Sequence, residues 1–315
     1  DLFLDEVNSE SSYEDFQKNF ACSVQKVYEF YFEKIITNIL KKNFSKNLVY
    51  SGGCALNSTA NQYITNNNHF DKVYINCAPG DNGGAIGAAL IVSSNFTKIF
   101  KNSDNPYLGT KYSNDEVLSV LRSDSYKDKI SYEILKEKDL FDLAAKILSD
   151  GNVIGWFQDE MEFGPRALGN RSILADPRNP DMKDIINKKI KRRESFRPFA
   201  PVILKKFQNE WFESKFINPY MSSLNIVKKN KQLSVPAITH IDGTARVQTV
   251  DEEKNYKLTN LIKSFNEITS VPILLNTSFN ENEPIVMKPE QALNCILRND
   301  LDYLIINNLL IKKNK

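Results

Sequence analysis

Between positions 161 and 201 the chain reads MEFGPRALGNRSILADPR (161–178) and then, from 190, IKRRESFRPFAP. Arg166, Arg171, Arg178, Lys191, Arg192, Arg193 and Arg197 are interrupted there by Gly, Pro and core-type residues instead of the carboxylates of a solvated charge run. A guanidinium presents a planar fork that binds phosphate or carboxylate oxygens two at a time, and a lysine adds a compact point charge. Several of them in one concave site suit a phosphorylated small molecule. The competing reading is a solvated basic face or an RNA-binding patch over KKIKRR (188–193). It accounts for that string, but not for Arg166 behind Gly164-Pro165 or Arg197 between Phe196 and Pro198-Phe199.

Further candidates lie elsewhere in the chain. NTSFN (276–280) follows PILL directly, so Thr277, Ser278 and Asn280 stand at a strand end, where small polar side chains and backbone N–H groups bind phosphate or a polarised carbonyl. The same string also makes an ordinary Asx or Ser/Thr turn. DGTARV (242–247) places Arg246 just past a glycine turn, as an anion ligand or a surface arginine, and His240 sits beside it, able to orient a substrate, transfer protons or serve structure. SGGCALN (51–57) is a Gly52-Gly53 turn opening a helix, and Asp81 in PGDNGG opens another, as an N-cap or a ligand. Neither matches a Walker loop or a full GxGxxG, and both also read as plain α/β turns. His69 in NNNHFD reads as a surface residue, and no HxxxH or HExxH occurs.

The elements that must position these residues follow from periodicity. Phe16, Phe20, Val24, Val27, Tyr31, Ile35 and Ile39 recur at helical spacing, and Tyr28, Phe32, Ile36 and Leu40 widen the stripe, so this helix expects neighbours on two sides. Strands at 48–51 and 72–76 alternate with helices opening near Ala55 and after Asp81, an α/β layer pattern. Residues 93–112 are polar and punctuated by Pro106 and Gly109, which reads as a linker. Beyond it come a helix at 140–148, a buried strand at 153–157, strands at 197–204, 225–227, 245–250, 272–276 and 303–306, and helices near 205–213, 256–268 and 289–299: a mixed α/β domain.

Composition narrows the class. At 315 residues and 41% hydrophobic content the chain can bury a real core, and its length suggests about two domains. No apolar run approaches the ~20 residues of a membrane span, and the acidic start DLFLDEVNSE is unlike a leader, so a cytoplasmic protein is expected. The net charge of +2 argues against a dedicated nucleic-acid binder, although residues 183–206 hold nine Lys/Arg against Asp184 and Glu194. Cys22, Cys54, Cys77 and Cys295 are widely spaced, which suggests reduced thiols filling the core.

Read in order, FGPRALGNRSILADPR, the KRRESFRPFAP string at 191–201, PAITHIDGTARVQTV, NTSFNENEPIV and the SGGCALN and PGDNGGAIGAA turns resemble the NodU/CmcH-type O-carbamoyltransferases over nearly the whole chain. The resemblance implies part of an actin-like ATPase-superfamily (ASKHA) domain at 1–95, a linker at 96–112 and a YrdC-like mixed α/β domain at 113–315. The YrdC-like part would convert carbamoyl phosphate and ATP, the latter with Mg2+, to carbamoyl-adenylate. The actin-like part would pass the carbamoyl group to a hydroxyl of a sugar, nodulation factor or antibiotic-like molecule. Residue by residue, the resemblance assigns Arg166, Lys191, Arg197, Arg246, Ser278 and Asn280 to the carbamoyl-phosphate and nucleotide site, with Arg171 and Arg193 as neighbours. Thr277 and His240 join them on the reading above. Gly52, Gly53 and Asn57 would line the actin-like cleft, with Asp81 as ligand to an iron-type divalent metal. Family members carry several hundred further residues ahead of this point, including a histidine pair that shares that metal, so the resemblance implies either that the chain is a fragment of a longer protein or that a separate N-terminal chain or a homo-oligomer supplies the rest. Threonylcarbamoyl-adenylate synthesis in tRNA modification is the nearest alternative activity, and an RNA-binding module the alternative of another class.

Overall fold

The computed structural model describes residues 12–67, 69–96 and 104–314. The acidic start and residues 97–103 of the expected linker lie outside them.

The first unit is small. Helix α1 (Ser12–Lys42) packs on a two-stranded parallel sheet, β1 (Asn47–Tyr50) and β2 (Lys72–Ile75), with α2 (Ser58–Thr65) between the strands and α3 (Gly83–Ser94) after them. The face of α1 that is buried differs from the expected stripe. Phe32 and Ile36 enter a core with Ile64, Phe70 and Ile75, and Tyr28 and Leu40 pack against it. Phe20, Val24, Val27, Tyr31, Ile35 and Ile39 are 40–59% exposed. With only two strands and α2 to cover it, the small sheet buries one narrow strip of a helix that is apolar well beyond one face.

The second unit is a mixed α/β body with a large mixed sheet. Its strands are β3 (Ile130–Ile134), β4 (Ile154–Phe157), β5 (Arg171–Ala175), β6 (Ala200–Leu204), β10 (Gln248–Val250), β11 (Ile273–Ser278), β12 (Tyr303–Ile306) and β13 (Leu309–Lys313). They run β10-β6-β11-β5-β4-β12-β13-β3, with β10/β6 and β4/β12 parallel and the other neighbours antiparallel. Every residue of β4, β5 and β6 is buried, so both faces of the sheet centre are covered. Around it are α4 (Asn114–Leu121), held by a Ser113/Glu116 capping box, α5 (Glu137–Ser149), α9 (Tyr256–Thr269), which packs on α5, and α10 (Pro289–Arg298). A three-stranded antiparallel sheet of β7 (Phe212–Glu213), β8 (Asn225–Val227) and β9 (Thr244–Ala245) flanks the body, with the short helices α6 (Met182–Ile186), α7 (Gln208–Trp211) and α8 (Lys229–Gln232) in the connections.

Several expectations shift. The strand expected at 197–204 begins at Ala200, and the strand expected at 245–250 is split at Arg246-Val247 between two sheets. The described part of the linker is pinned, since Tyr107 bridges Glu162, Gly109 N donates to Met161 O at 2.9 Å and a Cβ on Gly109 would stand 2.8 Å from Met161 Cβ. Cys77 and Cys295 fill core as expected, whereas Cys22 and Cys54 are exposed. His69 is half-buried against the Tyr63 ring.

The two units touch directly. Asn61, fully buried on α2, donates to Ser222 O at 2.7 Å, the Thr65 and Ser223 hydroxyls are 2.6 Å apart, and Leu224 N donates to Ser58 O at 3.2 Å. Among the described residues no helix is long and apolar enough to cross a membrane.

Candidate anion site

Four segments of the second unit and one helix start of the first converge on a cavity of about 440 Å3. Arg166 comes from the β4–β5 loop, Arg193 and Arg197 from the segment before β6, His240 and Asp242 from the turn before β9, and Arg246 from the β9–β10 break; Ser58 and Thr59 close one side.

The β4–β5 loop is built around a carboxylate. Glu162 Oε1 accepts from the backbone N–H groups of Leu168, Asn170 and Arg171 at 2.7, 2.6 and 3.2 Å. Gln248 Nε2 holds Leu168 O at 2.7 Å, and Asn276 Nδ2 bonds Gln248 Oε1 at 2.7 Å. Gly164 (φ +133°) and Gly169 (φ +105°) are demanded twice over: their backbone lies in the left-handed half, and a Cβ would stand 2.5 Å from Cys77 O at the first and 2.2 Å from Leu258 Cδ2 at the second. Glu162→Ala would strand three buried donors and should destabilise the chain by about 2–3 kcal/mol in urea unfolding, with weakened phosphate binding. Glu162→Gln keeps an acceptor oxygen and should recover most of both.

The electrostatics are those of a cluster with more positive than negative charge. Among the described residues Arg166, Arg193 and Arg246 have no carboxylate within ion-pair distance, and only Arg197 is paired, with Glu194 at 3.0 Å. Burial pushes the Arg246 guanidinium down to about 9, with Arg166 and Arg193 adding repulsion, and its Nε is buried without a hydrogen-bond partner. Burial also lowers Arg166, and burial with Arg197 lowers Arg193. Arg193 is steadied by stacking on Phe199 and by a 2.8 Å bond to Asn187 Oδ1. Four guanidiniums face one space against the single carboxylate of Asp242 in its wall, and a net positive wall of this kind favours an anionic occupant.

Not every expected residue joins them. The side chain of Arg171 is fully buried, lies 3.6 Å over the Phe157 ring and donates from both terminal nitrogens to the carbonyls of Gln158, Asn170, Thr110 and Asp159, while its Nε is buried without a partner, so the guanidinium is held inside the fold and not in the cavity. Arg178 pairs with Asp176, and Arg192 with Glu281. Lys191, at the end of a π-helical turn (Asn187–Lys191), is 1% exposed and does not line the cavity. Its Nζ donates to Asn280 Oδ1 (2.7 Å), Asn280 O (2.8 Å), Ser278 Oγ (3.1 Å) and Ser278 O. The structure thus brings together Lys191, Ser278 and Asn280, with Thr277 half-buried beside them on β11, as a closed knot adjoining the cavity through Arg193, whose charge reaches Lys191. Burial, then Arg193, pushes the Lys191 ammonium down to about 7. Lys188 and Lys189 are exposed, so the basic string divides among solvent, knot, ion pair and cavity.

In the first unit, Gly52 (φ +106°) and Gly53 form an exposed turn, and Asn57 is committed internally, capping α2 at Ala60 N and pairing with Gln25. Asp81 is exposed in the turn before α3, whose N-cap is Asn82. Among the described residues no group of three or more His, Cys, Asp or Glu side chains is placed to hold a metal. Asp81 thus offers one exposed carboxylate, a single ligand of the set that the resemblance implies.

Sequence reasoning missed Glu162, Gln248, Thr244 and the Ser58-Thr59 wall. Glu162 was legible only as the carboxylate standing just ahead of the Gly164-Pro165-Arg166 turn.

Residues 145–313 match the carbamoyltransferase C-terminus family, and residues 1–90 the carbamoyltransferase N-terminus family. A protein of Synechocystis sp. is 38% identical, covering 94% of this chain and 52% of its own length. Nodulation protein NolNO of Sinorhizobium fredii is 38% identical over 94% of this chain and 44% of its own. The 3'-hydroxymethylcephem-O-carbamoyltransferase of Amycolatopsis lactamdurans is 34% identical over 75% and 42%. The chain spans about half the length of these curated relatives.

Proposed function

The chain belongs to the NodU/CmcH-type carbamoyltransferase family, and from that premise we propose that the arginine-lined cavity binds carbamoyl phosphate beside ATP and forms carbamoyl-adenylate, for transfer to a hydroxyl of a sugar, nodulation factor or antibiotic-like acceptor. On this reading residues 113–315 are the YrdC-like activating part and residues 1–95 belong to an actin-like transfer part.

One observation carries the proposal: Arg166, Arg193, Arg197 and Arg246 line a single cavity, and three of them have no carboxylate partner among the described residues. Carbamoyl phosphate is a dianion and ATP a larger polyanion, so a site that brings them together must offset their mutual repulsion with fixed positive charge. Guanidiniums also stabilise the charge that develops on phosphoryl oxygens during displacement. Mg2+ would enter with ATP as part of the substrate. Lys191 acts here by holding the Ser278–Asn280 loop. Incubating the chain with carbamoyl phosphate and ATP should release pyrophosphate only when both are present, and Arg197→Ala should slow that release by at least about tenfold. Pyrophosphate formed equally well without carbamoyl phosphate would refute the assignment.

A further inference from the structure

The turn 240–244 holds an imidazole against the arginine cluster in a defined protonation pattern. The Thr244 hydroxyl donates to Asp242 Oδ1 at 2.7 Å, and Thr244 N donates to the same oxygen at 3.0 Å. His240 Nδ1 lies 3.0 Å from Thr244 Oγ1. A hydroxyl has one hydrogen, and Asp242 takes it, so Thr244 Oγ1 can only accept from His240; Nδ1 carries the hydrogen and Nε2 the lone pair. The backbone fixes the ring further, with His240 N donating to Thr244 O at 2.8 Å and Gly243 N to His240 O at 2.9 Å. His240 lines the cavity with Arg166, Arg193, Arg197 and Arg246.

The proposed reaction needs a proton acceptor. Carbamoyl phosphate plus water gives carbamate, orthophosphate and one proton: a P–O bond forms to the water oxygen, the P–O bond to the carbamoyl oxygen breaks, and carbamate leaves with the electron pair. A carbamate oxygen then attacks the α-phosphorus of ATP and expels pyrophosphate. Atoms and charge balance only if water is consumed and its proton removed.

We propose that His240 Nε2 accepts that proton, with Thr244 and Asp242 as positioning residues that keep the imidazole in the Nδ1–H form. This rests on the carbamoyl-adenylate reading and deepens it. The charged groups facing the ring agree with the assignment. Burial lowers its pKa below the usual histidine value, Asp242 raises it, and Arg246 and Lys183 lower it, so the neutral ring prevails at pH 7. Arg166, Arg193 and Arg197 add positive charge from the remaining walls. Because the folded-state value is depressed below 6.5, the basic form is lost only as pH falls under that figure, and activity should fall along the same limb.

The test has two arms. The chain has only two histidines, so nitrogen-15 NMR of the whole chain, assigned with His240→Asn, reads the tautomer without turnover. The Nδ1–H form is expected, and Thr244→Val should mix the tautomers while Thr244→Ser restores the single form. In turnover, His240→Asn should slow orthophosphate release from carbamoyl phosphate in the presence of ATP by about 10²-fold and abolish its acidic limb, with the Kd for inorganic phosphate changed less than about threefold. An Nε2–H tautomer, or an acidic limb that persists in His240→Asn, overturns the proton-acceptor role. Absence of turnover in the unsubstituted chain while phosphate still binds overturns the carbamoyl-adenylate reading itself.

Discussion

Arg246→Met is expected to raise the melting temperature of the ligand-free chain while it slows pyrophosphate release by about 10²–10³-fold. The two signs are opposite because the same property drives both. Arg246 is held among other guanidiniums with its Nε buried and unbonded, and burial together with Arg166 and Arg193 pushes its pKa down to about 9, so the fold disfavours its charge. Its folded-state value lies below that of the unfolded chain, so the unfolded state binds the proton more readily. The penalty is complete below pH 9 and eases only as pH rises through that value. At pH 7.5 methionine fills similar space without charge. We expect a gain of about 1–2 kcal/mol, or roughly 2–8 °C for a body of this size, measured by differential scanning calorimetry. Phosphate, which should stabilise the unsubstituted chain by mass action, should lose most of that effect on the variant. A lower melting temperature together with undiminished phosphate stabilisation would mean that Arg246 is a structural residue and that the anion lies elsewhere.

Lys191→Met should act in the other direction and harder. Three ammonium hydrogens are shared among four oxygens of Ser278 and Asn280 within hydrogen-bond distance of Nζ, and the group is buried. Removing it leaves those acceptors facing an apolar side chain, a loss of about 3–5 kcal/mol and a drop of roughly 6–20 °C in melting temperature. Arginine cannot substitute, because a planar fork does not fit a site shaped for a point donor. Amide hydrogen exchange over residues 276–281 should accelerate in the methionine variant, since the loop after β11 loses its tie to the π-helical turn. If stability and exchange are unchanged while turnover disappears, Lys191 touches the substrate instead of holding the loop.

Some of this was legible in the residues and some was not. Arg166, Arg197 and Arg246 stand out because each is set between turn-forming and core residues, a local context that the fold preserves. Arg171 shares that context and ends up inside the sheet. Strand β5 is buried at all five positions, so it shows no alternation, and its leading arginine disguises it as part of the anion cluster. The partners that spend Arg171, the carbonyls of Thr110 and Gln158 among them, are backbone groups and leave no mark on composition. NTSFN reads as a ligand loop, yet Asn276 is interior and braces Gln248, while Ser278 and Asn280 face a lysine. Helix α1 was visible as a helix, but its pattern is apolar over too wide an arc to say which strip the small sheet would bury.

The Ser58-Thr59 wall also bears on how such a chain can be rearranged by recombination. Exchange at the segment joining the two units would leave each sheet whole, so by the measure of core packing the parts look interchangeable. The cavity obeys a stricter rule. A replacement first unit would have to bring a helix start with two hydroxyls to the same place, and a carbonyl there to receive Leu224 N, before the guanidiniums again had a closed space to face. The heritable unit for anion binding is therefore longer than the sheet that supplies its arginines.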